Sequence, residues 1–257
     1  MSQENAVALE AVLAECEALL QCARFKDYGP NGLQVQGRGP VRRIVSGVTA
    51  SRALIEAALA AQADTLLVHH GLFWRGHDGR VTGWLRERLA LLLAHDLHLL
   101  AYHLPLDAHP ELGNNAQWAQ RMGWQAHARF GEQELGFLGQ RAQGQPYVDA
   151  QALAQHLQSV LNRGVTVVQP QPKAIQTIAW CSGGAQGYFE AAIAAGADAF
   201  VTGEISEPQV HLARECGVAF LACGHHASER YGVQALGQHL AARFGVAHHF
   251  IDIDSPA

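Results

Sequence analysis

Apolar residues recur along this chain at two periods, and the switches between them lay out a series of elements. Helical spacing runs over about residues 5–24. Asp27-Tyr-Gly-Pro-Asn-Gly32 then breaks the chain with Pro and Gly ahead of the extended Leu33-Gln-Val35. A strand is expected at 43–48, then a helix opened by Ser51 as its N-cap, then a buried strand in the apolar run 65–68. Helix 83–95, strand 97–102 and helix 112–122 complete the first half. The second half gives helix 149–162, strands 165–168 and 175–181, and further helices and strands in alternation up to Ile251. This alternation predicts an α/β fold with mostly parallel, mixed sheets covered by helices.

The two halves share a plan. Glu56-Ala-Ala-Leu-Ala-Ala-Gln-Ala-Asp64 matches Glu190-Ala-Ala-Ile-Ala-Ala-Gly-Ala-Asp198 without gaps at an offset of 134, with seven identities in nine. Five of the seven are Ala, which two helices can share as composition. The matched Glu and Asp, and the strand that follows each block, favour an internal duplication. We divide the chain into repeats 1–125 and 126–257, with a metal site expected in the cleft between them.

Composition narrows the function. The chain has 257 residues, 49% hydrophobic and 16% charged, with a net charge of -5, and its Lys and Arg are scattered. Nonspecific nucleic-acid binding is therefore not expected. The five cysteines, Cys16, Cys22, Cys181, Cys216 and Cys223, contain no C-x-x-C pair and form an odd set, which suits a reducing cytoplasm. The chain begins Met1-Ser-Gln-Glu4 without a basic start, so the first helix does not read as a signal peptide. The richest apolar stretch, 89–102, is broken by His95, Asp96 and His98, and no membrane span is expected. The 15 histidines are many beside 18 Lys plus Arg, and His is the commonest metal ligand.

Three clusters localise part of that excess. His69-His70-Gly71 ends the strand at 65–68. Adjacent strand side chains face opposite ways, so both imidazoles serve one site only if the chain leaves the strand there, which Gly71 eases. His103-Leu-Pro-Leu-Asp107 and His225-His-Ala-Ser-Glu229 are both His-x-x-x-acid, and each follows an apolar strand. Pro105 argues for a loop in the first, while the spacing of His225 and Glu229 matches one helical turn. Each pair alone reads equally well as an ion pair or a packed histidine. What raises them is recurrence at strand carboxyl ends, where open α/β sheets collect ligands. Imidazole and carboxylate without thiolate suit zinc, iron, manganese or nickel. Glu204 occupies the repeat position of His70 and reads as a supporting carboxylate, a general base or a helix-start residue; Cys223 reads as a buried strand cysteine. A Walker loop, G-x-S-x-G elbow and G-x-G-x-x-G motif are all lacking.

With these blocks in view, the chain resembles the NIF-three-like family, in particular its bacterial YbgI-type members named GTP cyclohydrolase 1 type 2 homologues. The resemblance rests on Asn31-Gly-Leu-Gln-Val35, Gly47-Val-Thr-Ala-Ser51, His69-His-Gly-Leu-Phe-Trp74, His103-Leu-Pro-Leu-Asp107, Leu112-Gly-Asn-Asn115, Thr202-Gly-Glu204 and Gly224-His-His-Ala-Ser-Glu229. Ser228 stands where Thr is common, and residues 125–175 carry no matching block. The resemblance implies two intertwined α/β repeats, a dinuclear metal centre and a ring-shaped homohexamer built as a trimer of dimers. By matched position it implies His69, His70, Asp107, His225 and Glu229 as ligands of two divalent ions. A metal-dependent hydrolase is then expected, with His103, Glu204 or His226 moving protons and a small-molecule substrate of nucleotide or purine-amide type. The alternative is a metal storage or delivery protein, which the same ligands would serve.

Overall fold

In the computed structural model, which describes residues 5–169 and 171–257, the elements run in chain order as follows. The first part contains α1 (Leu9–Leu20), β1 (Gly32–Val35), β2 (Arg43–Thr49), α2 (Arg52–Ala60), β3 (Thr65–His70), α3 (Gly83–Ala94), β4 (His98–Ala101) and α4 (Leu104–Ala108). Then come α5 (Asn114–Met122), β5 (Trp124–Phe130), β6 (Gly136–Arg141), α6 (Ala150–Leu161), β7 (Thr166–Val168) and β8 (Ile178–Trp180). The last are α7 (Phe189–Ala194), β9 (Ala199–Thr202), α8 (Glu207–Cys216), β10 (Ala219–Ala222), α9 (His225–Ser228), α10 (Arg230–Phe244) and β11 (Ala247–Phe250). Met1-Ser-Gln-Glu4 lies outside the described residues.

One sheet has the order β1-β4-β3-β2-β11, parallel throughout except for β1 against β4. The other has the order β5-β6-β8-β9-β10-β7; its centre, β8-β9-β10, is parallel and its flanks are antiparallel. The chain forms two compact units. The first comprises the residues up to Gly113 together with Gly232–Asp254, and the second Asn114–Tyr231 with Ser255–Ala257. These units are drawn differently from the repeats 1–125 and 126–257, because β11 pairs with β2 and takes the end of the chain back to the first sheet.

In the first unit the period of two along each strand sorts the core. Ile44, Leu67 and Leu100 pack with Leu9, Val12, Cys16 and Leu20 of α1 and with Val233, Leu236 and Leu240 of α10. Val45, Leu66, Val68 and Leu99 pack on the opposite face with Leu54 and Ile55 of α2 and Leu85 and Leu92 of α3. In the second unit Ile178, Trp180, Val201 and Leu221 meet α5 and α6, while Phe200 and Phe220 meet Phe189 of α7. All five cysteines are free thiols, and no helix among the described residues is long and apolar enough to cross a membrane.

Backbone chemistry supports the duplication. Asp64 Oδ2 accepts the N–H groups of Arg42 and Arg43 at 2.8 and 3.0 Å, and Asp198 Oδ2 accepts those of Gln176 and Thr177 at 3.0 and 2.9 Å. These donors are themselves related by the offset of 134. Each Asp, just before β3 or β9, also offers its carbonyl to the first residue of the next strand along the chain, Asp64 O to His98 N of β4 and Asp198 O to Ala219 N of β10. The matched Glu residues share no such role: Glu56 pairs with Arg52 at the surface and Glu190 is exposed. The retained Asp thus ties the entry of one strand to the entry of the next in both repeats.

Three local expectations change. The first helix begins at Leu9 because Val7 pairs as a bridge with Val41, and it ends where Gln21 adopts a left-handed φ of 48°. The segment around Pro105 is a helix, not a loop; Pro105 sits in the first turn of α4, where its missing N–H would have had no partner. The strand expected at 175–181 shortens to β8, with Ile175 bridging separately to Tyr147.

Removing either carboxylate, as Asp64→Ala or Asp198→Ala, strands two backbone donors and is expected to cost about 2 kcal/mol in denaturant unfolding, similarly at both positions. A second expectation concerns His248, whose Nε2 lies 2.8 Å from Ser46 Oγ and which a Cβ on Gly237 would strike. Burial, helped by the charge of His249, holds its pKa down to about 4. The fold therefore favours the neutral ring, and the associated stability is present above the ordinary value near 6.5 and lost as pH falls from there through 4. Wild type should lose on the order of 2 kcal/mol more than His248→Gln across that window in pH-dependent denaturation.

Candidate metal centre

In the first unit, β3 and β4 run parallel and end side by side, which brings His69, His70 and His103 to one sheet edge. The strand continues through His70, its last residue, so the chain leaves the sheet directly after the pair. Centroid separations are 4.8 Å for His69–His70, 5.0 Å for His69–His103 and 5.7 Å for His70–His103. One ligand atom from each of the three lies within 4.8 Å of the others, close enough to share an ion.

Each ring is held by its other nitrogen. His69 Nδ1, fully buried, is 2.8 Å from the carbonyl of Tyr102; His70 Nδ1 is 3.1 Å from Thr49 Oγ1; His103 Nδ1 is 2.7 Å from Asp27 Oδ1. The Tyr102 carbonyl and the Asp27 carboxylate only accept, so they place the proton of His69 and His103 on Nδ1, and in all three rings Nε2 is the nitrogen that could meet an ion. The buried Asp107 follows one turn after His103, its N–H donating to the His103 carbonyl, and its Oδ2 lies 3.4 Å from His69 Nε2.

Asp27, Asn31 and Gln34 were missed as functional positions. Asp27 accepts from Tyr28 N, Asn31 Nδ2 and Leu104 N as well as His103. Burial raises its pKa, but these donors and the His103 charge outweigh that and hold it below the ordinary carboxylate value. Asn31 Oδ1 accepts the His103 N–H at 2.7 Å, so the same turn fixes both the ring and the backbone of His103. The available signal was a turn of Asp, Asn and Gly, which reads first as punctuation.

In the second unit the loops after β8, β9 and β10 meet at Gly183, Gly203 and Gly224, where Gly203 N donates to Gly183 O and Gly224 N to Gly203 O. A Cβ on Gly203 would lie 2.6 Å from Gly183 O, so the loops close only without a side chain there. They present His225, whose Nδ1 is 2.6 Å from Glu204 Oε1 and whose Nε2 is 3.1 Å from Glu229 Oε2. Burial pulls His225 down, but Glu229 and then Glu204 outweigh it and carry its pKa up to about 9. An imidazole with a carboxylate on each nitrogen sits in a field that favours positive charge. A cation on Nε2 would take the place of that proton, with Glu204 still fixing the tautomer. Ser228 Oγ accepts from Gly183 N and donates to His225 O, which locks α9 to the glycine loop. His226 follows on the same turn, half-buried, and its backbone N–H donates to Ala257 O at 3.2 Å. Cys223 donates to Thr202 O, and burial pushes its thiol up to about 12, consistent with a packing role.

Three other histidines bond within the fold away from these clusters. His98 accepts from Gly37 N, while His239 pairs with Glu15 and His156 with Tyr147. The donor sets of both units, imidazole nitrogens oriented through Nδ1 with nearby carboxylates, fit a divalent first-row ion.

Residues 7–256 match the family described as Duf34/NIF3 (NGG1p interacting factor 3). The chain belongs to this family. It is 52% identical over 256 residues to the GTP cyclohydrolase 1 type 2 homolog of Pseudomonas aeruginosa, covering 98% of this chain and 100% of that one. It is 52% identical over 245 residues to the protein of the same name from Neisseria meningitidis serogroup A, covering 95% and 97%. Among solved structures, protein ybgI, of unknown function, superposes with a TM-score of 0.93 at 42% identity, covering 98% of this chain and 100% of that chain. Protein TTHA1606 from Thermus thermophilus gives 0.89 at 32% identity, with the same coverage. A Bacillus cereus protein related to NIF3 shares the fold at 15% identity and a TM-score of 0.84 over 100% of this chain and 99% of that chain.

Gly183 has a φ of +68°, and a Cβ there would lie 2.0 Å from Glu229 Oε1; Gly196, with φ +80°, has open space. Gly196→Ala should show backbone strain alone, about 1 kcal/mol. Gly183→Ala should cost more in thermal unfolding and should alone weaken divalent-ion binding, by about tenfold in a competition titration.

Proposed function

We propose that the chain is a dinuclear divalent-metal hydrolase, with His69, His70, Asp107, His225 and Glu229 as ligands. The observation that carries this reading is that the three ligand imidazoles, and that of neighbouring His103, have Nδ1 engaged by a carbonyl, hydroxyl or carboxylate. When bound, the ions would lower the pKa of a water and polarise the substrate.

The chain's own residues supply the rest. Asp27 keeps a proton on His103 Nδ1, so His103 Nε2 is the atom that can take or return one, or bind an ion. Glu204 holds the proton on His225 Nδ1 and, being more exposed than Glu229, is the carboxylate able to exchange a proton with a substrate. His226 is kept as a more remote proton carrier. The relatives' shared name points to a nucleotide or purine-type ring amide as the substrate class. Assembly as a trimer-of-dimers hexamer in the cytoplasm belongs to the same proposal and is read by sedimentation and fractionation.

Elemental analysis of protein purified without a His-tag should find two ions per chain, with content lowered in Asp107→Ala and Glu229→Ala. One ion per chain, or unchanged content in both variants, would overturn the dinuclear assignment. With full occupancy and a panel of nucleotides and cyclic amides, Glu204→Gln should lower kcat at least about a hundredfold while retaining metal. A loaded protein that hydrolyses nothing in that panel would favour storage or delivery instead.

A further inference from the structure

The turn at residues 27–34 and the segment after β3, residues 71–75, are fastened together in the first unit. Gly29 lies so close to the second segment that a Cβ would sit 2.4 Å from the Phe73 carbonyl, and Arg75 N donates to Tyr28 O at 2.6 Å. Gln34 fills the space above Gly71: its Oε1 accepts from Leu72 N at 2.8 Å and its Nε2 donates to Pro30 O at 2.9 Å.

Between these segments lies a shallow cavity of about 340 Å³, largely open to solvent, bordered by Asp27, Tyr28, Pro30, Phe73, Trp74 and Arg75. It shares Gly29, Pro30, Phe73 and Trp74 with a narrow recess of about 10 Å³ whose wall includes His69 and His103. Trp74 stands edge-on to His103, with centroids 5.1 Å apart and planes at 85°, and Tyr28 is 6.2 Å from the same ring. Tyr28 is nevertheless 58% exposed, an unusual position for a large aromatic with no packing role at its outer face. Exposed Arg75 is held at the mouth by a 2.7 Å bond from its guanidinium to the Asp27 carbonyl, which uses only part of its donor fork.

We propose that this cavity is a substrate subsite for a flat, π-rich ring carrying an anionic group, the ring against Tyr28 and Trp74 and the anion on Arg75. Two aromatic faces reward a ring over an aliphatic chain. The volume lies at the lower end of the range for small-molecule sites, enough for one ring system. The recess admits about one water-sized group, so the ring stops short of the histidines and only a substituent or a water reaches them. The reaction at that point rests on the hydrolase reading; the binding of the ring does not.

The test is calorimetric titration of the full chain with guanosine 5′-monophosphate and nicotinate, two flat anions of different size, and with ribose 5-phosphate as the anion without an aromatic ring. Wild type, Tyr28→Leu, Trp74→Leu and Arg75→Gln are compared, each as purified and after chelation, with metal content and sedimentation followed in parallel. Both ring ligands should bind at least about tenfold more tightly than ribose 5-phosphate, and Trp74→Leu should weaken them about tenfold with metal content and assembly unchanged. Arg75→Gln should weaken ring ligands and ribose 5-phosphate alike. Equal affinity for ribose 5-phosphate, undiminished ring binding in Trp74→Leu, or loss of binding only through altered assembly would overturn the subsite. Ring binding by a protein that never takes up metal would sink the hydrolase reading and leave the subsite standing; loaded protein that ignores both rings would do the reverse.

Discussion

An imidazole offers a metal only the nitrogen that its surroundings leave over. At His69, His70, His103 and His225 the nitrogen already engaged is Nδ1, held by the Tyr102 carbonyl, the Thr49 hydroxyl and the carboxylates of Asp27 and Glu204. A histidine without such an anchor can turn about χ2 and present either nitrogen, and its ordering would then have to be supplied by the metal. Here it is supplied by hydrogen bonds formed on folding. The adjacent pair His69-His70, the α4 turn carrying Asp107 and the residue Glu229 that ends α9 would serve an ion only because these rings are already oriented.

The two repeats kept their scaffold and changed their chemistry. Asp64 and Asp198 make the same pair of bonds to backbone N–H groups at the entry to β2 and to β8. At the strand ends, by contrast, His69 and His70 face Gly203 and Glu204 in the repeat alignment. Glycine at 203 lets three loops close on one another, and Glu204 orients a histidine from the next loop instead of serving beside one on its own strand. A shared backbone tie thus accompanies different side-chain sets at the strand ends, one rich in imidazole and one rich in carboxylate.

Much of this could be read from sequence where signals were local. The strands at 43–48, 65–68 and 97–102, the Ser51 cap and the histidines at strand ends follow from apolar runs that stop at polar blocks; the Ser51 side chain does accept from Leu54 N. Non-local features were hidden. β11 joins β2 across some 200 residues, and no periodicity announces such a partner. β5 is exposed along its middle, so its sequence lacks the apolar run that marks a buried strand. Pro105 was read as a helix breaker because the rule against proline applies to helix interiors, whereas α4 has hardly more than a first turn. Asp27 and Asn31 lie in a Gly-Pro turn, and turn residues that bond outward look the same in sequence as those that bond to their own backbone.

The Gln34 amide has a consequence for how a ligand would be received. By bridging Leu72 N and Pro30 O it joins the two segments that flank the aromatic cavity, while Gly29 brings their backbones into contact. The backbones of the two borders are therefore joined on folding, and they have less conformational entropy to lose when a ligand arrives. What remains to be ordered is the pair of exposed side chains at the mouth, Tyr28 and Arg75, so a ligand would meet a fixed floor and an adjustable rim.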